Sequence, residues 1–133
     1  MLRSKTILIV DDGGYAALDL SQAIEESDGY VAGPVATLSE AMVLLDDVPI
    51  GGAIVDFEVA EASQVVMFLA ERNVPVVIQV SSSLAPSRCQ FDDMASVLVR
   101  PVDPQTVLEL LLMEIGKGEL KASNTLGCQP KEV

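Results

Sequence analysis

The feature that most restricts the fold of this chain is a short apolar run that ends in a carboxylate, Gly52–Asp56. A run that is apolar at every position, rather than at every second one, is typical of a strand buried on both faces of a parallel sheet. A second run, residues 7–10, leads directly into Asp11 and Asp12. Because open α/β sheets bind their ligands at the carboxyl ends of such strands, the three aspartates are candidates for one shared site.

Strand-like and helix-like segments alternate along the chain. We predict helices where apolar residues recur at helical spacing, and strands where short apolar runs lie between glycine, proline or polar turns. The predicted elements are strand 6–10, helix 15–26, strand 30–32, helix 38–47, strand 52–55, helix 63–71, strand 76–80, a weak helix near 87–94, strand 97–99 and helix 104–116.

Several helix ends have recognisable capping signals. Thr37 and Glu40 match a capping box, in which each side chain can bond the free backbone N–H of the other residue. Ser63 is the predicted cap of the helix that follows Asp56. Asp103-Pro104 suits the start of the last helix, since proline needs no N–H at the first helical position, and Gly116 suits its C-cap.

Five strands that alternate with five helices predict a three-layer α/β/α domain whose parallel sheet is covered on both faces. The flavodoxin-like strand order 2-1-3-4-5 makes strands 1 and 3 neighbours and places the topological switch point between them. Asp11, Asp12 and Asp56 would then meet in one crevice. We predict that residues 1–116 form this domain and that residues 117–133 form a C-terminal tail.

Composition limits the kinds of partner. The chain has 8 basic and 20 acidic residues, a net charge of −12, which favours a protein partner or a divalent cation over direct binding to nucleic acid. It has no histidine, which excludes a histidine-based triad and a histidine-ligated zinc site. We find no apolar stretch of membrane-spanning length and no signal-peptide pattern, so we expect a cytoplasmic location and no membrane partner.

Three converging carboxylates repel one another unless some are protonated or a cation lies among them. The donors are all oxygen atoms, so the cation should be hard, and Mg²⁺ is the best candidate. Such a site can hold a phosphoryl group in line with an aspartate, and Arg100 could supply positive charge from the end of the fifth strand. A single aspartate at a strand end is often only a helix N-cap. The prediction therefore depends on the combination of the acidic pair after strand 1, Asp56 after strand 3 and Arg100 after strand 5.

Residues 5–116 resemble the receiver domain of two-component response regulators (CheY-like). The matching segments are residues 7–12 (ILIVDD), 53–56 (AIVD), 75–78 (PVVI) and Arg100-Pro101. Residues 17–20 (ALDL), Gly33-Pro34 and Asp103-Pro104 also resemble a group of stand-alone bacterial receivers. The resemblance covers nearly the whole chain, and the order and spacing of its short motifs make it specific.

The resemblance implies roles for the matching residues. Asp56 would accept a phosphoryl group from a histidine kinase or a histidine phosphotransfer protein. Asp12 would bind Mg²⁺ directly, Asp11 mainly through water, and Glu58 through its backbone carbonyl. Signalling would proceed by docking to a downstream protein target. The face that contains the last two helices and the fifth strand often mediates dimers in the family, so a homodimer is a hypothesis.

Three positions depart from the family pattern. The family has lysine where this chain has Arg100, which could clamp phosphate or lock onto unmodified Asp56. The family has Thr or Ser at the end of the fourth strand, where the ungapped match is Val80 and Ser81 lies one residue later. Since adjacent side chains on a strand face opposite ways, Ser81 can substitute only if the strand slips or bulges. The switch aromatic of the fifth strand is replaced by Val97.

Three functions therefore stay open. The first is a single-domain phosphoacceptor receiver, and the second is a pseudo-receiver that binds a partner without being phosphorylated. The third is an enzyme, because residues 56–59 resemble the nucleophile motif of haloacid-dehalogenase-like phosphatases, with Glu58 in place of its second aspartate. The chain is short for that fold and its cap domain, so we expect no enzymatic activity.

Overall fold

The computed structural model describes residues 2–12, 15–80, 95–99 and 102–121. Within these ranges we number the elements in chain order. The strands are β1 Thr6–Val10, β2 Tyr30–Val35, β3 Gly52–Asp56, β4 Val76–Val80 and β5 Ala95–Val99. The helices are α1 Tyr15–Glu26, α2 Leu38–Asp47, α3 Ala62–Glu71 and α4 Pro104–Lys121. The weak helix predicted near residues 87–94 lies outside the described residues.

The five strands form one parallel sheet in the order β2-β1-β3-β4-β5. The predicted flavodoxin-like architecture is confirmed. Between β1 and β3, Val10 lies beside Val55, so the next residues, Asp11 and Asp56, lie side by side at the carboxyl ends of these strands. The order of the strands thus brings the two carboxylate-bearing ends together at the switch point.

The sheet is packed on both faces, which explains why its central strands are apolar at every position. Residues of β3 and β4 are buried throughout. Alternate side chains, such as Val55 and Ile78, join a cluster with α2 and α3, which we call the α2/α3 core. The intervening side chains, such as Ile54 and Val77, join a second cluster with α1 and α4. No helix in the described ranges has both the length and the apolar character needed to cross a membrane.

Two predicted caps differ from the observed ones. In the capping box the Thr37 hydroxyl accepts the N–H of Glu40 at 3.1 Å, as predicted. The Glu40 carboxylate accepts the N–H of Ala36 at 3.0 Å and not that of Thr37, so the box closes one residue earlier. Ser63 is not a cap, because α3 begins at Ala62 and Glu61 occupies the N-cap position.

Three further predicted boundaries were wrong. The fifth strand begins at Ala95 and not at residue 97. The second strand continues past residue 32 to Val35, with a shift of its register against β1. Gly33 permits this path, because its φ is +105° and a Cβ there would lie 2.7 Å from the Ile9 carbonyl oxygen. The last helix continues through Gly116 to Lys121. Gly116 lacks the positive φ of a glycine C-cap, a conformation that Gly33 adopts. The division at residue 116 into domain and tail stays a prediction.

Candidate functional site

The candidate site lies at the carboxyl ends of β1 and β3, where three aspartates meet. One carboxylate oxygen each from Asp11, Asp12 and Asp56 can be chosen so that all lie within 4.8 Å of one another. Asp11 and Asp56 are buried, with 5% and 8% of their surface exposed, whereas Asp12 is exposed. The structure therefore brings together the three carboxylates that the sequence predicted.

Neighbouring strands fix the backbone on either side of this cluster. The N–H of Asp11 donates to the carbonyl of Val35 at 2.9 Å, so the last residue of β2 holds the start of the acidic pair. The N–H of Phe57 donates to the carbonyl of Gln79 at 2.9 Å, which continues the ladder between β3 and β4 past Asp56. Both carboxylates thus project from backbone that the sheet holds in place.

A tight turn orients the Asp56 side chain. Its Oδ1 atom accepts the backbone N–H of Glu58 at 2.9 Å, and its carbonyl accepts the N–H of Val59 at 3.1 Å. The side chain of Glu58 is exposed. Glu58 thus contacts the cluster through its backbone N–H. That the backbone carbonyl of Glu58 binds a metal ion stays a prediction.

The donor set fits a magnesium ion. Around an octahedral Mg²⁺ adjacent oxygen atoms are about 3.0 Å apart and opposite ones about 4.2 Å apart, since each metal–oxygen bond is about 2.1 Å. The oxygens of Asp11, Asp12 and Asp56 lie within 4.8 Å of one another, so they would share such an ion once their side chains rotate toward it. A divalent cation would also offset the mutual repulsion of three like charges.

The predicted phosphate-contacting residues occupy different surroundings. Val80 is fully buried in the α2/α3 core, and Val97 packs against the same core from β5, beside Ile78. Neither side chain carries a hydrogen-bonding group. Ser81 and Arg100 lie outside the described residues, so their roles stay predictions.

Sequence reasoning missed Gln79, which lies beside Asp56 in the pairing of β4 with β3. Only 4% of its surface is exposed. Since paired residues of parallel strands face the same way, Gln79 shares a face with Asp56 and lines a cleft of about 60 Å³ with Asp19, Val102 and Pro104. A single polar residue within the apolar run of β4 was the available signal.

Comparison with protein-family models and with curated proteins finds no match. Solved structures do match. The signal receiver domain of a modulated diguanylate cyclase from Desulfovibrio desulfuricans has a TM-score of 0.74 at 25% identity, with 89% of this chain and 98% of that chain covered. SdrG from Sphingomonas melonis has a TM-score of 0.69 at 28% identity, with 86% and 98% covered.

A CheY-like response regulator receiver domain protein from Methanospirillum hungatei has a TM-score of 0.73 at 18% identity, with 89% of this chain and 98% of that chain covered. The alignment with this chain covers 98% of each of the three matched chains. The chain described here therefore has the fold of CheY-like receiver domains.

Proposed function

We propose that this chain is a single-domain response regulator that accepts a phosphoryl group on Asp56 in the presence of Mg²⁺. The supporting observation is the cluster of Asp11, Asp12 and Asp56 at the switch point of a receiver fold. The net charge of the chain, −12, favours a protein partner, so we propose that the chain signals by docking to another protein.

The proposed reaction is a phosphoryl transfer from a phosphohistidine of a histidine kinase or of a histidine phosphotransfer protein. A carboxylate oxygen of Asp56 attacks the phosphorus atom, so that an O–P bond forms while the P–N bond breaks. The electron pair of the broken bond leaves with the imidazole nitrogen of the donor. Mg²⁺ would offset the charge on the phosphoryl oxygens and the carboxylates.

The residues of this chain prepare Asp56 for that attack. Asp11 and Asp12 would hold the metal ion beside the acceptor. The hydrogen bond from the Glu58 N–H restricts the rotation of the Asp56 carboxylate, at an N···O distance of 2.9 Å. An oriented acceptor needs less ordering in the transition state than a freely rotating one.

The test is the intact mass of the protein after incubation with Mg²⁺ and acetyl phosphate. We expect wild type to gain the mass of one phosphoryl group, and the gain to disappear in Asp56→Asn and after removal of Mg²⁺ with EDTA. Asp47→Asn is the matched control, because it makes the same charge change on an exposed residue at the end of α2. A phosphoryl gain that survives in Asp56→Asn would contradict the assignment.

A pseudo-receiver is the second candidate, and the environment of Val80 favours it. In the ungapped match Val80 falls at the position of the hydroxyl that the family uses to follow the phosphoryl group, and the Val80 side chain is buried in an apolar core. A folded wild-type protein that gains no phosphoryl group from any donor would support this alternative. It would still be expected to bind a protein partner through its acidic surface.

A further inference from the structure

Glu61, the residue directly before α3, has a backbone conformation that is unusual for a glutamate. Its φ and ψ angles are 67° and 14°, in the left-handed region that disfavours residues with a Cβ atom. It occupies the N-cap position of α3, yet its side chain makes no capping hydrogen bond there. The favoured N-cap residues are short polar ones that do make this bond. Helix capping therefore does not explain a glutamate at this position.

The Glu61 side chain contacts a different helix instead. Its Oε1 atom accepts the backbone N–H of Leu38, 23 residues earlier in the chain, at 3.2 Å. Leu38 is the first residue of α2. The first N–H groups of a helix have no partner within it and carry the positive end of the helix dipole, so a carboxylate is a suitable acceptor. The contact joins the loop after β3 to the start of α2.

The loop between the acceptor and Glu61 consists of consecutive tight turns. The Val59 N–H donates to the Asp56 carbonyl at 3.1 Å, and the Ala62 N–H donates to the Val59 carbonyl at 3.1 Å. The Val59 side chain is buried in the α2/α3 core. The loop is thus held at the site by the Asp56–Glu58 hydrogen bond, in its middle by Val59, and at its far end by Glu61.

We propose that Glu61 is a positioning residue for the candidate metal and phosphoryl site. Its hydrogen bond to Leu38 holds the loop in the conformation that keeps the Glu58 N–H on Asp56 and presents both residues to a metal ion. The metal-binding part of this inference rests on the function proposed above. Without the bond, the loop leaves this conformation more often, and an arriving metal ion must restore it. Magnesium affinity and the phosphorylation rate then fall.

Two substitutions separate this role from backbone strain. Glu61→Gly removes the side chain and also relieves the left-handed conformation, so a loss of site order in this variant cannot arise from strain. Glu61→Gln keeps an oxygen acceptor at the same distance from the backbone and should preserve the wild-type behaviour. Asn73→Gly is the matched control, since Asn73 has a φ of 61° after the other end of α3.

The measurement is hydrogen exchange of the Glu58 amide by NMR in the metal-free protein. We expect about 3- to 10-fold faster exchange in Glu61→Gly, as for the loss of one hydrogen bond, and wild-type exchange in Glu61→Gln and Asn73→Gly. A magnesium titration followed at the same amide should give a dissociation constant raised by a similar factor in Glu61→Gly alone.

The outcomes separate this inference from the proposed function. Unchanged Glu58 exchange in Glu61→Gly, or a Glu61→Gln variant that behaves like Glu61→Gly, would overturn the positioning role whether or not Asp56 is phosphorylated. If wild type binds no Mg²⁺ and gains no phosphoryl group, the proposed function fails. Faster Glu58 exchange in Glu61→Gly would then still support the role of Glu61 in holding the loop.

Discussion

Asp12 is the exposed member of the aspartate cluster, and asparagine would remove its charge at almost unchanged volume. The oxygens of Asp11, Asp12 and Asp56 lie within 4.8 Å of one another. The repulsion between Asp12 and Asp56 opposes folding of the metal-free protein, because the unfolded chain keeps these two residues far apart, whereas Asp11 and Asp12 are neighbours in both states. We therefore expect Asp12→Asn to be more stable than wild type when divalent cations are absent.

The magnitude follows from Coulomb's law. Two unit charges 4.8 Å apart repel by about 0.9 kcal/mol in water and by about 3.5 kcal/mol at an effective dielectric constant of 20. Since Asp12 is exposed, the value for water applies, and the Asp12–Asp56 pair, which only folding brings together, amounts to about 1 kcal/mol at low salt. For a chain of 133 residues this raises the melting temperature by about 3–5 °C.

Addition of Mg²⁺ should make wild type more stable than Asp12→Asn. A ligand at one hundred times its dissociation constant stabilises the folded state by about 2.7 kcal/mol, which exceeds the repulsion that the substitution removes. Wild type should gain this stability on addition of Mg²⁺. Asp12→Asn should gain much less, because it lacks the carboxylate proposed to bind the ion directly.

The assay is thermal unfolding followed by far-UV circular dichroism at low salt, with EDTA and then with Mg²⁺. Asp47→Asn controls for the loss of one negative charge outside the cluster. If Asp12→Asn is no more stable than Asp47→Asn in EDTA, repulsion among the clustered carboxylates does not oppose folding. A magnesium-induced rise in melting temperature that equals that of wild type would refute the metal-binding role of Asp12.

Two further substitutions test the fold around the site by urea denaturation. Gly33→Ala should lower the free energy of unfolding by about 2–3 kcal/mol, because a φ of +105° and the Ile9 carbonyl oxygen 2.7 Å from the new Cβ both oppose it. A loss of only a few tenths of a kcal/mol would show that Gly33 has neither this backbone conformation nor this close approach to Ile9. Val80→Thr should lower the same free energy by about 1–3 kcal/mol, because it places a hydroxyl in the α2/α3 core. Unchanged stability combined with faster phosphorylation would instead indicate that this side chain reaches the phosphoryl site.

The arrangement of the strands was predictable because burial on both faces leaves a clear pattern. Gly52–Asp56 and Val76–Val80 are buried at every position, and the sequence shows almost uninterrupted apolar runs there. The predicted convergence of Asp11, Asp12 and Asp56 followed from the strand order, since parallel strands end at one edge of the sheet. This part of the site depends on local patterns and on topology alone.

The parts that sequence reasoning missed depend on contacts between distant residues. The second strand extends to Val35 because Gly33 lies against the Ile9 carbonyl, a contact with β1 that local pattern does not encode. The start of α3 was placed at Ser63, whereas Glu61 is the N-cap and bonds Leu38 on α2. Gln79 was visible as a polar residue in an apolar strand, but its position beside Asp56 became evident only from the register of β3 and β4.

The most direct test of the central claim is to locate the phosphoryl group itself. After incubation with acetyl phosphate and Mg²⁺, an acyl phosphate can be reduced with borohydride, which converts the modified aspartate to homoserine. Peptide mapping by mass spectrometry should then find homoserine at position 56, with Asp11 and Asp12 unchanged and no conversion when Mg²⁺ is omitted. Homoserine at another aspartate, or none at any position in a correctly folded and magnesium-loaded protein, would contradict the account.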